Sequence, residues 1–202
     1  MRVQTARTDT ADRILDLAER LVQTRGFNGF SYADIASELG VTKASLHYHF
    51  PTKAELGLRL IERYSEAFRG ALVGVDETAI DARDKLRTYA DIYSGVLRNN
   101  RMCLCGMLAA DYATLPDSMK VAVTEFFAMN ERWLTTVLEQ GRSAGDLHFT
   151  GESLQVARLL VSSLEGAMLV ARSFGDVSRF QSIAERLLGD LRAAHQLAAP
   201  AG

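Results

Sequence analysis

The sequence predicts an all-α fold of about nine helices, and three observations predict it. Apolar residues recur at helical spacing in one segment after another along the 202 residues. No stretch alternates apolar and polar residues as a half-buried strand requires. Only three prolines occur, Pro51, Pro116 and Pro200, each at the start of a helical pattern or at the chain end, so none breaks a helix from within. At 48% hydrophobic, the chain can bury a sizeable core, and its composition does not suggest disorder.

Each element has its own local signature. The first stripe is Ile14, Leu17, Ala18, Leu21 and Val22, stopped at Arg25-Gly26 by a glycine suited to end a helix. Ser31 caps a short helix, with Asp34 at the capping-box position; Ile35 and Leu39 face inward, and small Ala36 permits a close crossing. Gly40 supplies the positive φ of a sharp turn. A second short helix packs back through Val41 and Leu46, with Phe50 one turn beyond. Thr52, with Glu55 three residues on, caps a longer helix striped by Leu56, Leu60, Tyr64, Phe68, Ala71 and Val75.

Leu86, Tyr89, Ala90, Tyr93, Val96 and Leu97 mark the next helix, and a short apolar segment follows over 102–113. Pro116-Asp117 opens a helix through Met119, Ala122, Phe126, Trp133 and Val137, expected to end between Gly141 and Gly145. Thr150 is expected to cap the following helix. Phe180, Ile183, Ala184, Leu187, Leu188 and Leu191 mark the last, before an Ala/Pro tail from Ala198 that is expected to fray.

Composition narrows the function classes. The first ten residues have no apolar segment behind their charges, unlike a secretory signal. The apolar run near 102–110 is too short to cross a bilayer. Two cysteines one residue apart cannot build a disulfide framework. The expectation is a soluble, cytoplasmic protein with no membrane partner. Net charge is −2, but residues 1–63 hold nine Lys and Arg against eight Asp and Glu, while the remainder holds 14 against 17. The asymmetry is mild and has the sign that phosphate contacts need.

Residues 31–56 carry the most information. Two short helices meeting at a glycine turn, with a third entered through Pro51-Thr52-Lys53, form a unit that offers a small polar helix to a nucleic-acid groove. Its outward residues Thr42, Lys43, Ser45, His47, Tyr48 and His49 can all donate hydrogen bonds. Lys53, in the first turn of its helix, opposes the helix dipole and is expected to serve an outside anion such as phosphate. His47 and His49 point to different sides of a helix, which excludes a shared metal ion.

From about Asp9 to Arg63 these residues resemble the N-terminal domain of the TetR family of bacterial transcriptional repressors. The resemblance is carried by the leading helix, the turn over Ile35–Val41, the short recognition helix, and the aromatic and histidine run before Phe50-Pro51-Thr52-Lys53. Ala44 stands where glycine is usual, and His47 where tyrosine is usual. The resemblance implies a helix-turn-helix DNA-binding domain over 1–55 and a ligand-binding and dimerisation domain over 56–202, linked by helix 56–75. It implies Ser31 and Tyr32 as DNA-backbone contacts, Thr42, Lys43 and Ser45 at base edges and flanking phosphates, and His47, Tyr48, His49 and Lys53 as phosphate clamps. The plain alternative for His47 and Tyr48 is packing against the leading helix.

The family's C-terminal helices form a ligand cavity and the dimer. Five of the six methionines follow residue 100, and adaptable methionine and aromatic linings suit an apolar small molecule. Pocket candidates are Tyr89, Tyr93, Cys103, Met107, Tyr112, Met129 and Trp133, with ordinary core packing as the competing account. Residues 158–172 carry apolar side chains on more than one face, with small residues between them. With the last helix, 180–191, they look like the helix pair of the family's four-helix dimer interface, which implies Leu159, Ser162, Ser163, Gly166, Ala167, Ile183, Leu187 and Leu191 as dimer residues, and a two-fold dimer would read a near-palindromic operator.

Cys103 and Cys105 stand apart. Cys103, near Arg101 and a helix start, has the setting of a thiol sensor; both cysteines also fit as small buried apolar residues. The reading is a ligand-released homodimeric repressor of unknown effector, with no cofactor. Its alternatives are a thiol-sensing regulator, an activator or a regulator controlled by a protein partner, and a small helical thiol enzyme. Against the enzyme, no nucleophile, base and orienting acid fall at a recognisable spacing.

Overall fold

The computed structural model describes residues 2–191, with side chains described from residue 10 onward. Among the described residues there are nine α-helices and no β-strand: α1 Arg2–Arg25, α2 Tyr32–Leu39, α3 Lys43–His49, α4 Lys53–Thr78, α5 Ala82–Arg98, α6 Leu104–Ala110, α7 Asp117–Ala144, α8 Ser153–Phe174 and α9 Val177–Gly189. The tail from Ala198 lies outside the described residues. The helices pack as two compact units: one runs through Phe68 and takes in Arg101–Phe126, and the other comprises Arg69–Asn100 and the residues from Phe127 on.

In the first unit the stripe of α1 is buried, as are Ile35 of α2, Leu46 of α3 and Leu56, Leu60 and Ile61 of α4. Two glycines set its turns. Gly26 (φ 81°) ends α1, and Gly40 (φ 66°) ends α2 as Val41 N–H returns to Ala36 O at 3.0 Å. Caps follow the local sequence: Thr42 Oγ1 accepts from Ser45 N–H at 3.2 Å, and Thr52 Oγ1 accepts from Glu55 N–H at 3.1 Å. Arg63 of α4 reaches Asp16 and Glu19 of α1, each at 2.7 Å, and Arg20 of α1 pairs with Glu38 of α2. Tyr64, Phe68 and Phe126 form an aromatic cluster, with Phe68 edge-on to Phe126 at 5.2 Å. The segment leading into α6 docks on α1, where Met102 N–H donates to Gln23 O at 3.1 Å.

In the second unit the core is built from α5 (Leu86, Tyr89, Tyr93), α7 (Leu134, Val137, Leu138), α8 (Leu160, Leu164, Met168) and α9 (Phe180, Ala184). Gly175 (φ 63°) closes α8, and Asp176 caps α9 by accepting from Ser178 N–H at 2.9 Å.

Helix α7 ends at Ala144, between Gly141 and Gly145 as expected, and Gly145 (φ 80°) turns the chain behind it. Two local expectations are corrected. Thr150 is not a cap: Gly151 (φ 84°) turns the chain first, so α8 starts at Ser153 behind Glu152. Ala71 of the α4 stripe faces solvent.

Helix α8 also corrects the estimate of apolar length. Its 22 residues, with a mean hydropathy of 1.4 over the most apolar window, are long and apolar enough to cross a bilayer by length and composition alone. An uninterrupted-run reading misses this because Ser162, Ser163, Glu165 and Gly166 divide the run.

Candidate nucleic-acid interface

Helix α3 has one side for the core and one for an outside partner. Leu46 is wholly buried, while Thr42, Lys43, Ala44, His47 and Tyr48 are exposed, and Ser45 and His49 are half-buried at the edge. Tyr48 is 62% exposed, which rules out packing against α1 as its main role. Lys43 makes no ion pair among the described residues, so its charge is available. His47 stands between two neighbours: its Nδ1 lies 3.0 Å from Pro51 O, and its ring is 4.9 Å from that of Tyr32.

Around α3 the structure places three of the expected contact residues in bracing roles. Ser31 donates both its N–H and its hydroxyl to Asp34 at 2.7 Å, and the hydroxyl bond first of all holds the Asp34 carboxyl below its ordinary range. Tyr32 donates its hydroxyl to Phe50 O at 2.8 Å, tying α2 to the end of α3. Burial, then the Glu55 charge, pushes its phenol up to about 12.

Lys53 is the larger correction. Its Nζ donates to Phe27 O and Phe30 O, each at 2.5 Å, and lies 4.6 and 4.2 Å from the centres of those two rings. Burial lowers its pKa, against the opposing pull of Asp111 and Asp34. The ammonium expected to serve an outside anion spends two of its three donors on its own backbone.

Sequence reasoning missed a second set of residues in this unit. Asp111, at the end of α6, accepts from Phe27 N–H at 2.8 Å and Asn28 N–H at 3.4 Å; Asn28 Nδ2 donates to Thr114 Oγ1 at 2.7 Å. No local pattern marks a carboxylate whose partner lies 84 residues away.

The pocket candidates divide between the units. In the second, Tyr89 O–H donates to Asn130 Oδ1 at 2.9 Å, its oxygen lies 3.0 Å from that of Tyr93, and its ring stacks on Trp133 at 5.5 Å. Trp133 Nε1–H donates to Asp76 Oδ2 at 2.9 Å, and Lys85 pairs with Asp76 Oδ1 at 2.6 Å. Burial works against the Asp76 carboxylate, yet the Lys85 and Trp133 bonds leave its pKa lowered. Met129 is half-buried. In the first unit Cys103 is buried, Met107 half-buried and Tyr112 exposed.

None of these seven lines the cavity of about 200 Å³ between α5 and α9, which has a floor of Leu86, Ala90, Phe180, Ala184 and Leu188. Arg83, Arg87, Asp91 and Glu185 stand at its exposed rim. Cys103 Sγ accepts from Gly106 N–H at 3.4 Å as the N-cap of α6, and both cysteines are buried.

The expected dimer residues lie mostly outward. Leu159, Ser162, Gly166 and Ile183 are exposed, Ser163, Ala167 and Leu187 half-buried, and Leu169, Val170 and Phe174 extend the exposed apolar surface. Leu191 is a correction: it is buried in its own unit, and its carbonyl accepts from His148 N–H at 3.0 Å. Among the described residues no group of three or more His, Cys, Asp or Glu could hold a metal ion.

Comparison with known proteins agrees with this geometry. Residues 14–60 match the family model described as bacterial regulatory proteins, tetR family, and residues 82–187 match a tetracyclin repressor-like C-terminal domain. The HTH-type transcriptional repressor NemR of Escherichia coli is 28% identical over 173 residues, covering 82% of this chain and 87% of NemR. A TetR-family regulator from Agrobacterium tumefaciens superposes with a TM-score of 0.90 at 33% identity, over 93% of this chain and all of that one. The reduced form of E. coli NemR superposes at 0.79 with 25% identity, over 91% and 98%.

Proposed function

Since the chain belongs to the TetR family of bacterial regulatory proteins, and is therefore a DNA-binding transcriptional regulator rather than an enzyme, we propose that it is a cytoplasmic, homodimeric repressor released from a near-palindromic operator by a small molecule. One observation carries this reading. Helix α3 is anchored by a buried leucine and capped at Thr42, while Lys43, His47 and Tyr48 project outward. A short helix so held can enter a major groove and meet phosphates on either side. Residues 1–55 are the DNA-reading part, and 56–202 carry the effector and the dimer.

Two copies joined through the exposed faces of α8 and α9 would present two such helices to successive grooves. Effector binding is supported by the α5–α9 cavity, whose apolar floor and charged rim suit a small organic molecule. An effector that prefers a head spacing unfit for the operator opposes DNA binding by the same free energy with which DNA opposes it.

The test is titration of purified protein on duplex DNA at several salt concentrations. A steep linear fall of log K with log salt is expected, with an operator recoverable from a random duplex pool. Salt-insensitive binding, or none, removes the reading.

A second route of release, oxidation or alkylation at Cys103, has in its favour the place of Cys103 Sγ at the start of α6, in the same compact unit as α3, and requires a local opening that exposes this buried thiol. Loss of operator binding on peroxide treatment, prevented in Cys103→Ser, would distinguish it from small-molecule release.

A further inference from the structure

We propose that Asp111 is a positioning residue for DNA recognition: its carboxylate holds the loop 26–30 against which the supports of α3 are set. The proposal rests on the DNA-binding reading and adds a residue from outside the helix-turn-helix.

The loop joins α1 to α2 and is gripped on its two kinds of backbone group. Its donors, Phe27 N–H and Asn28 N–H, go to Asp111, while its acceptors, Phe27 O and Phe30 O, go to Lys53. The Asn28 side chain adds a third hold through Thr114, in the short turn that follows α6. A carboxylate accepting backbone N–H groups and an ammonium donating to backbone carbonyls are both charge-assisted bonds, and each fixes the peptide planes it meets. Opposite charges thus bracket one loop.

The loop is shaped for this carboxylate. Gly26 has φ 81°, and a β-carbon there would stand 3.0 Å from Asp111 Oδ2, tighter than ordinary contact. A side chain at 26 would therefore be strained and would crowd the oxygen that Phe27 N–H needs. Lys53 opens α4, three residues after Phe50, whose carbonyl takes the Tyr32 hydroxyl at the end of α3. The path from Asp111 through the loop and Lys53 to the end of α3 is continuous and short.

The location of Asp111 matters for control. It lies in 101–126, a segment matched by the C-terminal family model yet folded in the same compact unit as α1 to α3. Moving the end of α6 withdraws a carboxylate from the loop, without touching any residue that faces DNA. Helix α3 then samples more orientations, so specific affinity falls while the number of phosphate contacts stays the same.

The experiment uses full-length protein and a duplex selected on the wild type. Asp111→Ala should weaken operator binding about tenfold, with the slope of log K against log salt and the affinity for random duplex unchanged. Asp111→Asn, which keeps an acceptor oxygen, should stay within about threefold of wild type. Hydrogen exchange at the Phe27 and Asn28 amides should quicken in Asp111→Ala and remain slow in Asp111→Asn.

Wild-type operator affinity in Asp111→Ala would overturn the proposal, as would unchanged exchange at those two amides or a lowered salt slope. If Asp111→Ala does not fold, Asn28→Ala decides: a loss of about threefold, with faster exchange at residue 28, supports the proposal, and wild-type behaviour defeats it. Failure of the DNA-binding reading looks different, because the wild type itself would then lack salt-steep duplex binding.

Discussion

The two lysines of the DNA-reading unit should fail in opposite ways when replaced by alanine. Lys53 gives two charge-assisted bonds, to Phe27 O and Phe30 O, and lies over two aromatic rings. A hydrogen bond from a charged donor contributes about 1.5–3 kcal/mol net, and a cation–π contact about 0.5–1 kcal/mol at a partly exposed site. The group is only half-buried, and water can recover part of the carbonyl solvation. A loss of about 3 kcal/mol for Lys53→Ala is therefore expected, or about 6–12 °C of melting temperature for a chain of this size.

Lys43 is exposed and makes no ion pair among the described residues, so Lys43→Ala should leave stability within about 0.5 kcal/mol. If Lys43 meets one phosphate in each of two subunits, the same change should lower the salt slope of DNA binding by about 1.8. Far-ultraviolet circular dichroism melts and fluorescence anisotropy at four or five salt concentrations measure both quantities on both variants. A Lys53→Ala protein that melts with the wild type but loses salt slope would refute the reasoning, because Lys53 would then be a phosphate contact.

Four further outcomes are expected. Gly95→Ala, with open space around the new β-carbon, should stabilise α5 by about 0.8–1 kcal/mol; Gly141→Ala, whose β-carbon would fall 2.6 Å from that of Ala82, should lose about 1 kcal/mol or more in urea unfolding. The lowered pKa of Asp76 contributes stability above the ordinary carboxylate range and loses it as pH falls through the folded value. Unfolding followed by the single tryptophan, Trp133, should therefore be flat from about pH 7 to 5 and weaken below about 4, with a shallower decline in Asp76→Asn. Leu159→Arg, on the exposed face of α8, should give a monomer by sedimentation velocity and cost roughly a hundredfold in operator affinity; a stable dimer would move the interface elsewhere.

Features that depend on neighbours within a few residues were legible from the chain. The stripe from Ile14 to Val22 lies buried along α1, Gly40 takes the left-handed turn, and Thr52 caps its helix as its spacing implies. The outward place of His47 follows from the same arithmetic, since it follows buried Leu46 directly and turns to another side of α3, whereas Lys43 shares the side of Leu46 and is exposed because it stands at the first position of the helix. Caps misled where backbone conformation intervened: Thr150 has the right side chain, but Gly151 bends the chain before a helix can start.

The sequence by itself determined the all-α class, the order of the helices and which short helix faces outward, because hydrophobic period and capping act over one or two turns. Only the tertiary structure decided that Lys53 faces inward, that Tyr32 ties α2 to α3, that Leu191 belongs to its own core, and that a carboxylate 84 residues distant grips the loop after α1. A polar side chain takes the partner that packing brings to it, and a partner far along the chain leaves no mark in local spacing.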